Sequence, residues 1–412
     1  MAHIETYLAQ PYIRDDEEWI PDESRSPKTR YTIFWSDGEL WMEAHRYLYE
    51  KRGKSETIRS NANDLRAYAE WLEQNNLHWL HFPLRREDRC LDRFRGHLIN
   101  TSSGTSGVPS RRMNVVVNFY KWAKAKGLID RQLEMWEDQQ VAVTFFNPTG
   151  FKRTAGVWTT DLRIPHRKAN VTTLEEGLIP LSAEDRDILL AYLKDNPSEQ
   201  NTVLHAMLTL GFFTGARIGS IRTLRVENLK NAIPDPTFLP DPEYPENMLL
   251  LVAAGPGTGI DTKFSVSGNL RFLSAVHEFC LDYAESNVTR LKRQAKASKE
   301  NKSFLFLTKD GRPYSEGSIN TAISDLRKAL IRDGLTQFHD FKFHQSRATC
   351  GTQLAQLHMA NSDLDAIEHV KDWLLHKDER TTWTYIKFLK STKIAKKVNT
   401  AFNKQFLGPN FQ

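Results

Sequence analysis

Two basic side chains three residues apart mark the segment FHQSRATCGTQLA near the end of the chain. His344 and Arg347 would leave one face of a helix, because residues three and four apart are neighbours on a helical surface. Such a pair can hold one ligand. The spacing is common, and the segment HDFK repeats it at His339 and Lys342. On its own, therefore, the pair more often indicates an exposed polar face.

Two other segments bring residue types that could act with this pair. LLHKDERTTWTYI places His376 nine residues before Tyr385, beyond a Thr-rich turn, and TGARIGSIRTL places Arg217 just after a glycine between two helices. Taken singly, such a tyrosine is most often core packing and such an arginine a surface ion pair. Together they suit a phosphodiester: guanidinium groups match phosphate oxygens bidentately and stay charged at every relevant pH. A tyrosine hydroxyl is only ~0.1% ionised at pH 7, so the site must activate it.

In their order and contexts, the TGAR, HQSR, LLH and tyrosine segments resemble the tyrosine recombinase (phage integrase) family. The resemblance covers residues 180–390 with specific motifs and residues 31–128 more loosely. It implies these catalytic residues: Arg217, Lys263, His344, Arg347, His376 and Tyr385.

The resemblance also implies the reaction. Tyr385 would attack the scissile phosphate, form a 3′-phosphotyrosyl link and free a 5′ hydroxyl that attacks a partner strand. Lys263, in a strand turn, would protonate the leaving oxygen as a general acid. Phosphate-ester energy is kept in the covalent link, so we expect neither a metal nor another cofactor.

The chain departs from the family pattern in three places. Ser220 stands where the family usually has an acidic residue, three positions after Arg217. The Pro-rich loop over residues 231–247 looks like an insertion, and the interval from Arg347 to His376 looks longer than usual. Added loop length costs little thermodynamically. The position of Lys263 is the least specific, and a solvated strand lysine is its alternative reading.

Hydrophobic periodicity predicts the elements that must position these residues. Apolar positions recur at three- and four-residue intervals through residues 31–135, which is typical of amphipathic helices. We therefore expect an α+β multidomain protein, in which an all-helical core-binding (SAM-like) domain at 31–135 precedes a mixed, mainly helical tyrosine recombinase catalytic domain with a small antiparallel sheet at 179–412. Residues 1–30 are predicted to be a mostly irregular extension, and residues 136–178 an extended basic linker.

Local signals add detail to this plan. Ser182 is predicted to cap a helix, with Asp185 completing a capping box. MLLLVA reads as a strand, and GIDTKFSVSGNLRFLS as two short strands that turn near residues 267–269. The tail carries an apolar helical stripe: Ile394, Val398, Phe402 and Phe406. Basic side chains beside aromatic ones, such as Arg111 and Arg112, fit either solvated helix faces or a surface that follows phosphates.

Composition sets the class of protein. Of 412 residues, 40% are hydrophobic and 11% aromatic, which excludes general disorder, and 56 Lys and Arg against 51 Asp and Glu give a net charge of +5. The three cysteines have no ligand spacing, which favours a reducing compartment. An acidic, polar start and the absence of a long apolar run predict a protein without a membrane span or a secretion signal. The family resemblance adds the expectation that it works in the cytoplasm of a prokaryote, associated with the nucleoid.

The resemblance predicts site-specific recombination of duplex DNA by a homo-tetramer, with the tail helix linking protomers and a mobile element as the biological setting. Two alternatives stay open: a type IB topoisomerase, which religates the same strand, and a non-catalytic DNA-binding protein on a recombinase scaffold. A metal-dependent nuclease is disfavoured because no carboxylate cluster has ligand spacing. The target sequence and the choice between integration, excision and resolution are left open.

Overall fold

The computed structural model describes residues 1–15, 18–53, 55–101, 107–146, 152–165, 174, 177–237, 248–359 and 362–402. The chain divides into two compact units, Met1–Ala169 and Asn170–Gln412. Within the described part, no helix is both long enough and apolar enough to cross a membrane.

Over its described residues, the first unit combines helices with three two-stranded antiparallel ribbons. Its helices are α1 (Met42–Glu50), α2 (Ser55–Gln74), α3 (Cys90–Thr101) and α4 (Gly107–Ala125). The ribbons pair β1 (His3–Ala9) with β4 (Lys28–Phe34), β2 (Tyr12–Asp15) with β3 (Glu18–Pro21), and β5 (Asp138–Phe146) with β6 (Lys152–Thr160). Aromatic side chains fill the core between the helices, and the buried hydroxyls of Tyr68 and Tyr120 lie 2.8 Å apart.

The predicted helices are confirmed, but the prediction of an all-helical first domain is wrong. Residues 1–30 contain three strands and the start of a fourth, where an irregular extension was expected. The residues of β1 pair with residues 19 to 31 positions later, in the register His3↔Phe34 to Ala9↔Lys28. Local periodicity cannot reveal such a pairing, because the strand becomes stable only when its distant partner and the helices cover it.

The predicted extended linker is also folded for much of its length. β5 and β6 form a nine-pair ribbon within it, and Leu162 and Ile164 join the core of the first unit. These two apolar side chains attach the segment directly after the ribbon to the helices, so the described residues up to Ile164 are a part of the first unit.

In the part that the structure describes, the second unit is a mainly helical domain with one three-stranded antiparallel sheet, ordered β7 (Ile233–Pro234), β8 (Leu249–Ala254), β9 (Gly268–Leu273). Its helices are α5 (Ala183–Asp195), α6 (Glu199–Thr214), α7 (Ile218–Thr223), α8 (Val226–Lys230), α9 (Ser274–Ser286), α10 (Val288–Lys296), α11 (Glu316–Arg332), α12 (Gln345–His358), α13 (Asp363–Trp373) and α14 (Glu379–Phe402). Helix α6 is buried along most of its length and packs against α5, α9, α12 and β9. It is the central support of the domain.

Local predictions for this unit had mixed outcomes. The Ser182 cap is confirmed, since its Oγ accepts from the Asp185 backbone N–H at 2.9 Å. The prediction of a turn near residues 267–269 is wrong, because Gly268 and Asn269 lie inside β9. This strand pairs with β8, and residues 255–267 form the connection between the two strands. Gly255, at φ +109°, begins that connection, and a Cβ there would meet the Val266 carbonyl oxygen at 2.6 Å.

Two predicted features fall outside the described residues. The Pro-rich loop is described only over residues 231–237, where β7 lies. The side chains of the tail stripe (Ile394, Val398, Phe402 and Phe406) are not among those described, although α14 extends to Phe402.

Candidate active site

Helix α12 presents the first two candidate residues as predicted. His344 is its N-cap residue and is half-buried, and Arg347 lies in its first turn with 2% of its surface exposed. The Arg347 guanidinium donates from Nη1 to the Gly215 carbonyl and from Nη2 to the Leu374 carbonyl, each at 2.6 Å. Its buried Nε has no partner among the described residues. A buried cation needs such acceptors, and here they fix the orientation of the whole group.

The end of α6 supplies one of those acceptors and leads to Arg217. Gly215 ends the helix in the left-handed conformation, φ +67°, which glycine adopts without steric cost. A Cβ at this position would lie 2.4 Å from Leu374 Cδ2. Arg217 follows as the N-cap residue of α7 and donates from Nη1 to the Leu375 carbonyl at 3.5 Å. The two arginines thus meet successive carbonyls, those of Leu374 and Leu375.

His376 and Tyr385 lie directly after this pair of carbonyls. The His376 ring is 5% exposed, and its Nδ1 shares a hydrogen bond of 2.9 Å with Thr382 Oγ1. Its ring centroid is 5.9 Å from that of Tyr385, whose side chain is 1% exposed. The Thr-rich segment between them is not a turn, because α14 begins at Glu379 and includes Thr382. The helix therefore holds both the hydroxyl that orients His376 and the candidate nucleophile.

Gly351 is a site residue that sequence reasoning missed. It lies on α12 one turn after Arg347, and a Cβ there would lie 2.5 Å from Tyr385 Cε1 and 2.7 Å from Leu374 Cδ1. The Tyr385 ring therefore packs directly against the helix backbone. The one available signal was a glycine inside a helical pattern, which costs about 1 kcal/mol relative to alanine and usually has a packing reason.

Lys263 lies in the connection between β8 and β9, on a short 3₁₀ turn, with its side chain exposed. The next residue, Phe264, has φ +61° and is 66% exposed. The ammonium groups of Lys263 and Lys377 lie 5.6 and 5.8 Å from the centroid of the Phe264 ring. Because Lys377 directly follows His376, this shared ring places the connection that bears Lys263 beside the His376 turn.

Ser220 occupies the position at which the family resemblance predicts an acidic residue, and it bonds to the connection between β8 and β9. Its Oγ donates to the Asp261 carbonyl at 2.7 Å, and Arg222 Nη2 donates to the Asp261 carboxylate at 2.9 Å. Helix α7 is therefore tied to the connection that bears Lys263, two residues before that lysine.

Cys350 is a buried residue three positions after Arg347, and its thiol is unreactive. Burial raises the pKa of its thiol to about 12, and the opposing effect of the Arg347 and Arg186 cations is smaller. A thiol with this pKa is protonated at neutral pH, so it offers no competing nucleophile.

The arrangement combines two oriented guanidinium groups, a histidine held by a hydroxyl and a tyrosine beside it. Cations fixed before the reaction stabilise negative charge that develops on a substrate. Among the described residues no group of three or more His, Cys, Asp or Glu side chains could hold a metal ion.

Residues 274–391 match the model of the family described as the phage integrase family. No curated protein sequence matches the chain. Two structures of the Tn1549 transposon integrase, one with a circular intermediate DNA and one with transposon right end DNA, are each 13% identical, with a TM-score of 0.50, and cover 86% of this chain and 98% of that one. The XerH site-specific recombinase bound to palindromic difH substrate is 13% identical, with a TM-score of 0.49, and covers 80% of this chain and 75% of that one. At such identities the likeness concerns the fold.

Proposed function

We propose that this chain is a tyrosine recombinase of the phage integrase family, whose model its residues 274–391 match, and that it cleaves and rejoins duplex DNA with Tyr385 as its nucleophile. The observation that supports this role most directly is the contact between Tyr385 and His376, whose rings lie 5.9 Å apart beside the carbonyls that orient Arg217 and Arg347. These contacts support a joint role for Arg217, Arg347, His376 and Tyr385.

The reaction exchanges one phosphate ester for another. The Tyr385 hydroxyl loses its proton and forms a bond to phosphorus, the bond from phosphorus to the 5′ oxygen breaks, and that oxygen takes a proton. We assign this proton to Lys263, whose exposed ammonium can reach a bound backbone. The 5′ hydroxyl then attacks a phosphotyrosine and reverses the bond changes.

The arginines and histidines stabilise the transition state. Charge builds on the non-bridging oxygens, and Arg217 and Arg347 face it with guanidinium groups already held by backbone carbonyls. Because those acceptors are neutral, the positive charge remains available to the phosphate. His344 and His376 add hydrogen-bond donors. Preorganised donors of this kind are each worth about 10²- to 10³-fold in rate.

The working assembly that we propose is a homo-tetramer on two duplex recombination sites, linked by the tail after Leu389. The competing arrangement packs the tail stripe on its own domain. Deleting the chain after Leu389 should abolish tetrameric complexes on DNA in sedimentation experiments, while monomer binding survives. Undiminished tetramers would exclude the exchange of tails. Because its substrate is DNA, we place the protein with the nucleoid in a prokaryotic cytoplasm.

The chemical test uses a nicked duplex built from the repeats that flank the gene. In EDTA the wild-type protein should form an SDS-resistant adduct with the tyrosine on the 3′ side of the break. Tyr385→Phe keeps the ring and deletes the hydroxyl, so DNA binding should survive while the adduct disappears. The matched control is Tyr283→Phe, at another buried tyrosine of the same unit, which should react normally.

The products separate the three hypotheses. Strand exchange between two duplexes supports the recombinase, whereas relaxation of any supercoiled plasmid without exchange supports the topoisomerase. If the wild type forms no adduct on a substrate with its proper site, the protein is a DNA-binding scaffold. Arg347→Ala should also lose cleavage, because it removes the buried cation of the site.

A further inference from the structure

A second basic surface lies in the first unit, where the end of α4 meets the start of β5 and the end of β6. A cavity of about 790 Å³ opens there, which is within the usual range of about 300–1,000 Å³ for ligand sites. We call it the tryptophan cavity. Apart from Ala125, the residues that line it are Lys121, Lys124, Arg131, Trp136, Asp138 and Trp158.

Two indole rings give the cavity its apolar surface. Trp158, on β6, is 69% exposed, although tryptophan is normally buried for most of its surface. Trp136 is half-buried, and its Nε1 donates to the Asp138 carboxylate at 3.2 Å. One ring is therefore held by a hydrogen bond, while the other is presented to solvent. An exposed indole in a concave site indicates a ligand with a flat apolar face.

The charge of the cavity selects an anion. Lys121 and Lys124 lie three apart on α4 and so share one face, and Arg131 is exposed nearby. The Lys121 ammonium is 6.0 Å from the Trp136 centroid, and Lys124 Nζ donates to the Leu133 carbonyl at 3.0 Å. Against three cations stands one carboxylate, that of Asp138, already bonded to an indole. A ligand with a flat ring and a negative charge fits both properties.

We propose that the tryptophan cavity binds an unpaired strand of DNA, with one base stacked on Trp158 and adjoining phosphates beside Lys121 and Arg131. Successive bases of a duplex cover each other's faces, so the exposed Trp158 indole can stack on a base within the strand only after that base has left the helix. Aromatic platforms flanked by cations bind single strands in this way, without reading sequence. The inference rests on the proposed function, because a strand that moves between duplexes must unpair first.

The test measures binding of the full-length protein to a fluorescent thymidine oligonucleotide about 12 nucleotides long, by anisotropy. Trp158→Ala should weaken binding about 10-fold or more, and Trp158→Phe should restore most of it, because a phenyl ring also stacks. The matched control is Trp19→Ala. Trp19 is 68% exposed on β3, a different ribbon, and its loss should leave the affinity unchanged.

An abasic oligonucleotide of the same length separates stacking from charge. The wild type should bind it about 10-fold more weakly than the thymidine strand, whereas Trp158→Ala should bind both alike. The proposal would be overturned by equal losses of affinity in Trp158→Ala and Trp19→Ala, or by a wild-type protein that binds the abasic and thymidine strands equally well. So would duplex DNA that competes as well as single strands at equal phosphate concentration.

Cleavage is scored separately. A protein that forms the Tyr385 adduct yet fails these binding tests refutes the tryptophan cavity alone. A protein that passes them but forms no adduct refutes the proposed function alone.

Discussion

Replacing Gly351 by alanine tests whether the observed position of Tyr385 is the reactive one. The added Cβ would lie 2.5 Å from Tyr385 Cε1 and 3.0 Å from Cζ, whereas carbon atoms normally approach to about 3.5–4.0 Å. The added Cβ would also lie 2.7 Å from Leu374 Cδ1, so the strain cannot be relieved on the helix side alone. The ring must therefore shift by about 1 Å or more. A misplacement of about 1 Å costs on the order of 10²-fold in rate.

The effect on stability should be much smaller. Alanine gains about 1 kcal/mol over glycine within a helix, and this offsets part of the ~1–3 kcal/mol typical of overpacking. We therefore expect the free energy of unfolding of Gly351→Ala to lie within about 2 kcal/mol of the wild-type value. In single-turnover assays at saturating protein, the variant should form the adduct about 100-fold more slowly.

Gly317→Ala is the control. Gly317 lies on α11 of the same unit, its Cβ would meet its nearest neighbour at an ordinary 3.8 Å, and both stability and rate should be retained. An unchanged rate in Gly351→Ala would refute the reasoning. An increased rate would refute it more strongly, because the buried ring would then be a resting position that the reaction must leave.

Three further perturbations follow from the geometry. Thr382→Val removes the hydroxyl bonded to His376 and leaves a buried ring nitrogen without its partner, so adduct formation should fall about 10-fold or more while Thr382→Ser stays near the wild type. Arg111 makes a bidentate contact, at 3.0 and 3.1 Å, with the Asp64 carboxylate, which is 1% exposed. Asp64→Asn weakens this contact and should lower the free energy of unfolding by about 1–2 kcal/mol in urea titrations. An unchanged midpoint would show that the pair contributes nothing. Burial, and secondarily His369, lowers the pKa of His358, whose ring stacks on that of His369 at 4.2 Å. The unfolded chain therefore binds a proton at His358 more readily than the folded chain, so this stability is present above about pH 6.5 and is lost as the pH falls below it. His358→Gln should flatten the dependence of Tm on pH between about 5 and 7. An equal slope in the variant and the wild type would exclude this histidine as the cause.

The sequence could reveal which side chains belong to the candidate site, because their chemistry and spacing are local properties. Arg347 and His344 share a helix, and Tyr385 follows His376 closely, so short patterns record both pairs. The partners that orient them left no such record. The carbonyls of Gly215 and Leu374 could be supplied by any residue type, and the sequence does not specify which backbone groups a buried guanidinium will reach.

The strands of the first unit escaped prediction for a related reason. Each half of the β1–β4 ribbon is short, and its partner is distant in the chain. Tyr31 and Ile33 are buried on β4, yet a buried pair at alternate positions is too weak a pattern to specify a strand. Helices α1 to α4 were predictable because their apolar stripes repeat over several turns.

The turn from Leu374 to His376 connects the parts of the candidate site that sequence motifs list separately. Two consecutive carbonyls accept from the two arginines, and the next residue is the histidine beside Tyr385. Leu375 has φ +50°, a conformation that costs a non-glycine residue on the order of 1 kcal/mol or more and persists only where the surroundings enforce it. The surroundings here are tight on two sides: a Cβ on Gly268 would meet Leu375 Cδ2 at 2.4 Å, and one on Gly215 would meet Leu374 Cδ2 at the same distance. Because both arginines donate to consecutive carbonyls of one strained turn and His376 is its next residue, these groups cannot shift independently. A small movement of the turn would therefore displace both guanidinium groups and change the surroundings of Tyr385 together.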